Sequence, residues 1–488
     1  NKSLQHQLFT KDIPFASEAL GLEVDAVLVK GRSNYLCAHK FDDVLSGFQQ
    51  MAFGDREDKQ IAAIKLWDST SDTGDVDELP FVMEGDLRPR VVSFADDCLQ
   101  QMCPHWADNC WVNKMRDRAA DAQVLVTNHH LLLNALQFGP AGERILPPAS
   151  IYIVDEAHGL EQTATAVYET ILTNYSIDQA LARNILKEIC DEDELEAIKF
   201  HAALAFQEVQ LLSDDSSFAI EPELEEMKKL GRSLADLAKQ VKEQLPKDEA
   251  LKQLDEEGAR RAKSIELAAE LVSSTAGKVT QLAVPKKDGS VIRYGVRVFD
   301  RKRVSLELHA APIDPAGLLK HYLFAPERNQ EALDRTVICT SATLSTAGSF
   351  VHFKARCGIE TPCAERVLAP VFDYPKQALL YQPALPAFQY QNSSGYYDSV
   401  ASELDRLLEV SRGRALCLFT NWSGLQQVHE RMKNGGRSLI WPIRAQGDAP
   451  RDALLRWFRE TPWSVLLATR SFWEGVDIPG DGLSLVVL

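Results

Sequence analysis

Short apolar runs recur along the chain at Ala26–Val29, Val124–Val126, Ile151–Val154, Val337–Cys339, Ala415–Phe419, Val465–Ala468 and Leu483–Leu488. They are continuous rather than alternating, the pattern of strands buried on both faces of a parallel sheet. Stretches of helical period separate most of them. The chain therefore reads as α/β, with central parallel sheets.

Two stretches break the alternation. Residues 37–110 are mixed and loop-rich and carry four cysteines. Residues 165–300 read as mainly helical and acidic. Within them Leu224, Met227, Leu230, Leu234, Leu237, Val241 and Leu245 recur at three- and four-residue steps, which gives one apolar helix face that Pro246 ends. A hairpin is expected where Lys287-Asp288-Gly289 turns between two Val-rich runs. The division expected is a first α/β domain in three pieces (1–36, 111–164 and 301–364), insertions at 37–110 and 165–300, and a second α/β domain over 365–488.

Candidate chemistry sits at the strand ends, where open α/β sheets hold their ligands. Asp155-Glu156-Ala157-His158 follows Ile151–Val154. Adjacent carboxylates there suit ATP hydrolysis: Asp155 in the Mg²⁺ shell, Glu156 orienting the attacking water, His158 passing the nucleotide state to its neighbours. An isolated Asp-Glu pair is usually a solvated loop start; the strand in front makes this one specific. Ser341-Ala342-Thr343 follows the next apolar run. Its hydroxyls can bond the acidic box, although alone the string is an ordinary helix cap. In Thr469–Asp477, Gly475 allows close backbone approach, while Glu474 and Asp477 offer acceptors to a ribose or a cross-domain arginine.

Composition narrows the class. No apolar run in the 488 residues is long enough to cross a bilayer, and nothing resembles a signal peptide. Nine cysteines in so long a chain do not form a secreted disulfide framework, so a cytoplasmic location is expected. A net charge of −17 counts against wholesale nucleic-acid binding. It leaves room for a local basic channel, because screening acts over roughly 8–10 Å. Lys30, Arg32, Lys114 and Arg116 are candidates to line one. Cys37-x60-Cys98-x4-Cys103-x6-Cys110 lacks zinc-ribbon knuckles. On spacing alone, zinc, an iron–sulfur cluster and unrelated thiols all stay open. The other five cysteines read as core or incidental.

Strand-DEAH, SAT and SFWEGVD, in that order, resemble the superfamily 2 helicases. The resemblance is closest to the iron–sulfur branch that includes XPD and the bacterial DinG and YoaA proteins. Asn1–Leu8 resembles its motif Ia. Lys30-Gly31-Arg32-Ser33-Asn34-Tyr35-Leu36-Cys37 resembles its lead-in to the first cluster ligand, and Val126-Thr127-Asn128-His129-His130 the strand end before its acidic box. The resemblance implies two RecA-like domains, the first interrupted by an iron–sulfur domain and a helical arch. It implies ATP, Mg²⁺ and a [4Fe–4S] cluster on Cys37, Cys98, Cys103 and Cys110. It assigns DNA contact to Gln5, Lys30, Arg32, Lys114, Arg116, Asn128 and His129. The activity implied is 5′→3′ movement on single-stranded DNA, with unwinding of forks, D-loops or R-loops in repair and replication. Forked DNA and a replisome or single-strand-binding protein are the implied partners.

Two alternatives are an adaptor that has lost catalysis and the helicase module of a DinG-type nuclease. The intact carboxylates speak against the first, and no exonuclease signature supports the second. No G-x-x-x-x-G-K-[ST] loop occurs. The resemblance places that loop before Asn1 and an arginine motif after Leu488, so this polypeptide alone is expected to be inactive as an ATPase.

Overall fold

Every apolar run named above forms a strand, and each strand pairs in parallel. The computed structural model describes residues 2–48, 55–83, 87–95, 98–246, 255–300, 303–328, 331–332, 334–389, 393–435, 440–449, 451–473, 476, 478 and 480–488. Contacts divide the chain into two units: Leu22–Glu78 with Glu84–Val367, and Asn1–Gly21 with Leu79–Met83 and Leu368–Leu488.

In the larger unit, β1 (Ala26–Leu28) pairs with β2 (Val124–Val126). Between them lie the four cysteines, the helices Ala38–Phe48 and Asp55–Asp68, and α1 (Trp111–Asp121). Helix α2 (His129–Gln137) follows β2; β3 (Ile151–Val154) and α3 (Leu160–Tyr168) come next.

An insert then departs from the end of α3. Its sheet holds β4 (Thr170–Thr173) and β5 (Ser217–Ala219). Its helices are α4 (Glu192–Gln210), α5 (Glu225–Glu243) and α6 (Glu256–Ala283). Strands β6 (Val291–Asp300) and β7 (Arg303–Pro312) complete an antiparallel sheet in the order β4-β7-β6-β5. The apolar stripe expected on α5 is buried from Leu224 through Val241 and packs into one core with α4 and α6. Burial contributes roughly 1.5–3 kcal/mol per large side chain, which holds a helix rich in exposed charge in place.

The expected hairpin is displaced. Gly289, at φ +66°, does close a turn onto Lys286, but the chain before it is α6, with Val272, Val279 and Leu282 fully buried. Those residues follow helical, not strand, period. The hairpin comes one element later, between β6 and β7.

After the insert the chain returns as β8 (Thr336–Cys339), followed by α7 (Val351–Cys357). β8 lies beside β3 in register, Thr336 opposite Ile151 and Cys339 opposite Val154. The ends of these two strands therefore emerge side by side.

In the smaller unit α8 (Ser393–Ser411) precedes β9 (Ala415–Leu418), then α9 (Trp422–Asn434), β10 (Ile443–Ala445), α10 (Arg451–Glu460), β11 (Val465–Ala468) and β12 (Leu485–Val487). The sheet order is β10-β11-β9-β12, all parallel. Leu404, Leu425 and Val428 cover one face and Leu454, Phe458 and Phe472 the other. Both central strands are buried throughout, as their unbroken apolar sequences require. Among the described residues no helix is long and apolar enough to cross a membrane.

Candidate functional site

The in-register pairing of β3 and β8 builds the acidic site. Thr340, the first residue past β8, donates from Oγ1 to Asp155 Oδ1 at 2.7 Å. Its backbone N–H donates to Val154 O and its carbonyl accepts from Ala157 N–H. Ser341 Oγ donates to Glu156 Oε2 at 3.2 Å and lies 2.9 Å from His158 Nδ1. His158 Nδ1 is also 3.2 Å from Glu156 Oε2. Ala342 and Thr343 form the turn that follows, and Thr343 N–H donates to Ser341 Oγ at 3.3 Å. The sequence-derived pair of strings, Asp155-Glu156-His158 and Ser341-Ala342-Thr343, is thus one hydrogen-bonded constellation.

Glu156 adopts φ 50° and ψ 42°, the left-handed region. For a side chain other than glycine such backbone costs of order 1–3 kcal/mol and persists only where neighbours over-determine it. Here Thr340 and Ser341 do so. The strain turns the Glu156 carboxylate outward, with about two-fifths of the side chain (43%) open to solvent.

From the other side, His129 Nε2 lies 2.8 Å from the Asp155 carbonyl, to which it donates. Burial pushes the His129 pKa down, so the ring stays neutral. Asn128 Oδ1 accepts from Leu131 N–H at 2.8 Å and caps α2. These two residues, expected at the DNA, brace the acidic box and the helix beside it. Thr340 was absent from the sequence reading. Its signal was available: it directly precedes Ser341 at the end of an apolar run.

Lys30 departs from expectation. It is 9% exposed, its ammonium pairs with Asp75, and Asp77 lies 3.6 Å away. Its charge is sealed in an ion pair rather than presented to a phosphate. Arg32 donates to the Phe94 carbonyl at 3.3 Å, and Lys114 Nζ lies 4.5 Å above the Trp111 ring. Arg116 is half-buried. Burial first, then Arg32, pushes its pKa down, and its Nε has no hydrogen-bond partner among the described residues. The side-chain amide of Gln5 is buried and likewise unpartnered among them. Glu474, Gly475 and Asp477 lie outside the described residues. Just before them, Thr469 donates from N and Oγ1 to Gln446 Oε1, both at 2.8 Å.

Cys37, Cys98, Cys103 and Cys110 are all unpaired thiols and partly exposed. Cys37 N–H donates to Val91 O, Cys103 N–H to Gln100 O, and Cys110 opens α1. Burial pushes the thiol pKa of Cys37 up, with Cys103 and Cys98 near enough to add to it. Burial likewise raises Cys103, with Cys110 and Cys98 adding. A cationic metal group would favour the thiolate forms of Cys37 and Cys103, which burial otherwise opposes. Among the described residues no three His, Cys, Asp or Glu side chains converge on a single metal ion.

Residues 404–488 match the Helicase C-terminal domain family. The chain is similar to the ATP-dependent DNA helicase YoaA of Haemophilus influenzae, 29% identical over the whole chain and 73% of that protein. It is similar at 30% identity to YoaA of Escherichia coli, again over 100% of this chain and 73% of the relative. Among solved structures, an XPD helicase aligns over 97% of this chain and 74% of its own, at 14% identity and a TM-score of 0.45. Given a likeness to YoaA that runs the whole length of this chain and an acidic box tied to its serine–threonine partner strand, the chain belongs to the DinG/YoaA type of ATP-dependent DNA helicase.

Proposed function

We propose that the chain is the motor of a 5′→3′ single-stranded-DNA translocase that opens forks, D-loops or R-loops in repair and replication. In this reading Asp155 sits in the Mg²⁺ shell, and Glu156 orients and deprotonates the attacking water. The outward, strained Glu156 carboxylate is the observation that carries the reading: a carboxylate already aimed at solvent and held by Ser341 and His158 need not reorganise when ATP arrives. Ser341 and Thr343 report the nucleotide state through the same bonds. Glu474, Gly475 and Asp477 would take part in coupling ATP to movement.

Residues 1–36, 111–164 and 301–364 would form the first RecA-like domain, and 365–488 part of the second. Residues 165–300 would form the arch. Cys37, Cys98, Cys103 and Cys110 would hold a [4Fe–4S] cluster, which supplies a rigid wedge rather than redox chemistry on the strand. Arg32, Lys114 and Arg116 flank those cysteines in sequence and would carry the phosphates past them. Asn128 and His129 would meet DNA beside the box they brace.

The test is strand displacement by the intact protein on duplexes bearing a 5′ or a 3′ single-stranded tail, with matched RNA tails. ATP- and Mg²⁺-dependent opening of the 5′-tailed DNA duplex is expected. Opening confined to 3′ tails or to RNA tracks would overturn the assignment.

A further inference from the structure

Helix α3 begins at the acidic box and ends at the insert. Leu160 and Ala164 fix one side of it in the core. Its polar side carries Glu161, Thr165 and, just past its end, Glu169. These line a cleft of ≈ 480 Å³ whose far wall includes Tyr294 and Ala311. Three polar anchors hold the helix. Before its start, His158 meets Ser341. In its first turn, Glu161 accepts from Arg356 Nε at 2.9 Å, which ties it to α7. At its end, Glu169 Oε1 accepts from the Tyr294 hydroxyl at 2.6 Å and from His309 Nδ1 at 3.0 Å.

That last anchor is built for rigidity. Tyr294 and His309 are cross-strand partners on β6 and β7, and their rings stack at 4.6 Å with planes 7° apart. Glu169 and His309 are only 13% and 10% exposed. Burial, then Glu169, pushes the Tyr294 pKa up to about 12, so the hydroxyl keeps its proton and stays a donor. A helix of this length is a rod of about 13 Å, short enough to move as one piece. Its two ends grip the nucleotide site and the insert sheet.

We propose that Glu169 and Tyr294 are positioning residues that couple the acidic box to the insert through α3, so that nucleotide-driven movement of His158 is delivered to the insert. The proposal rests on the helicase activity of the family. It concerns transmission, not hydrolysis.

The test compares Tyr294→Phe, Glu169→Ala and Glu169→Gln in the intact protein, reading base pairs opened per ATP consumed together with the thermal midpoint. Losing the hydrogen bonds to the Glu169 carboxyl should lower that ratio by about tenfold in Tyr294→Phe and Glu169→Ala. DNA-stimulated ATP turnover should stay within about twofold, and Glu169→Gln, which still accepts both bonds, should recover most of the ratio. The phenylalanine variant keeps the ring and the fold should Glu169→Ala prove unstable. An unchanged ratio in Tyr294→Phe, or unwinding and hydrolysis falling in step, would overturn the coupling role. Failure of the unsubstituted protein to open any duplex would instead strike the helicase reading itself.

Discussion

Thr340 and Asp155 stand 185 positions apart in sequence, yet the Thr340 hydroxyl donates to the Asp155 carboxylate at 2.7 Å. In-register pairing of β3 with β8 creates that contact, and it orients the Asp155 carboxylate. Thr340→Val keeps the shape and removes the bond. A hydrogen bond to a charged group is worth about 1.5–3 kcal/mol. The variant should therefore lose roughly tenfold or more in kcat and need more Mg²⁺, with DNA affinity unchanged. A Mg²⁺ titration of ATP turnover checks this.

Lys30 and Asp75 form a buried pair, and removing one partner strands the other. Lys30→Met should destabilise the protein by about 3–5 kcal/mol. The salt dependence of single-stranded-DNA binding should not change, because that ammonium neutralises no phosphate. Denaturant melts and a salt series of binding isotherms measure the two quantities separately.

Burial lowers the His129 pKa from its ordinary 6.5. Between that value and the lower folded one, the unfolded chain binds more protons than the native protein. Stability contributed by the neutral ring is thus complete above pH 6.5 and is lost as pH falls through the folded pKa. The slope from this one group cannot exceed about 1.4 kcal/mol per pH unit. Unfolding free energies between pH 7.5 and 5.5 should fall less steeply in His129→Gln than in the unsubstituted protein.

Cys103→Ser removes one of four thiols expected to share a [4Fe–4S] cluster. The intact protein should be brown, and the variant should lose its visible absorption and its iron. Iron analysis with an absorption spectrum decides this; a colourless, zinc-loaded protein would contradict the cluster.

The strands Ala415–Leu418 and Val465–Ala468 were legible because they are buried throughout and so locally apolar, and no distant partner need be known to read them. The α5 stripe was legible for the same reason at helical period. The run through Val279 misled because valine suits strands, while its partners Val272 and Leu282 lie on a buried helix face. Asp155 and Glu156 were visible as a string, but the left-handed backbone of Glu156 was not, since neighbours across β8 impose it. Lys30 looked like a phosphate contact because nothing local announces Asp75. The Glu169–Tyr294–His309 clasp joins three elements that no short window contains.

The central claim is that Glu156 activates the water that attacks ATP. Glu156→Gln in the intact protein keeps the size of the side chain and can still accept from Ser341. ATP turnover should fall by about 10²–10⁴, while ATP and single-stranded-DNA affinities stay within about threefold, a shift of less than roughly 1 kcal/mol. Turnover by Glu156→Gln within a few-fold of the unsubstituted enzyme would contradict the account.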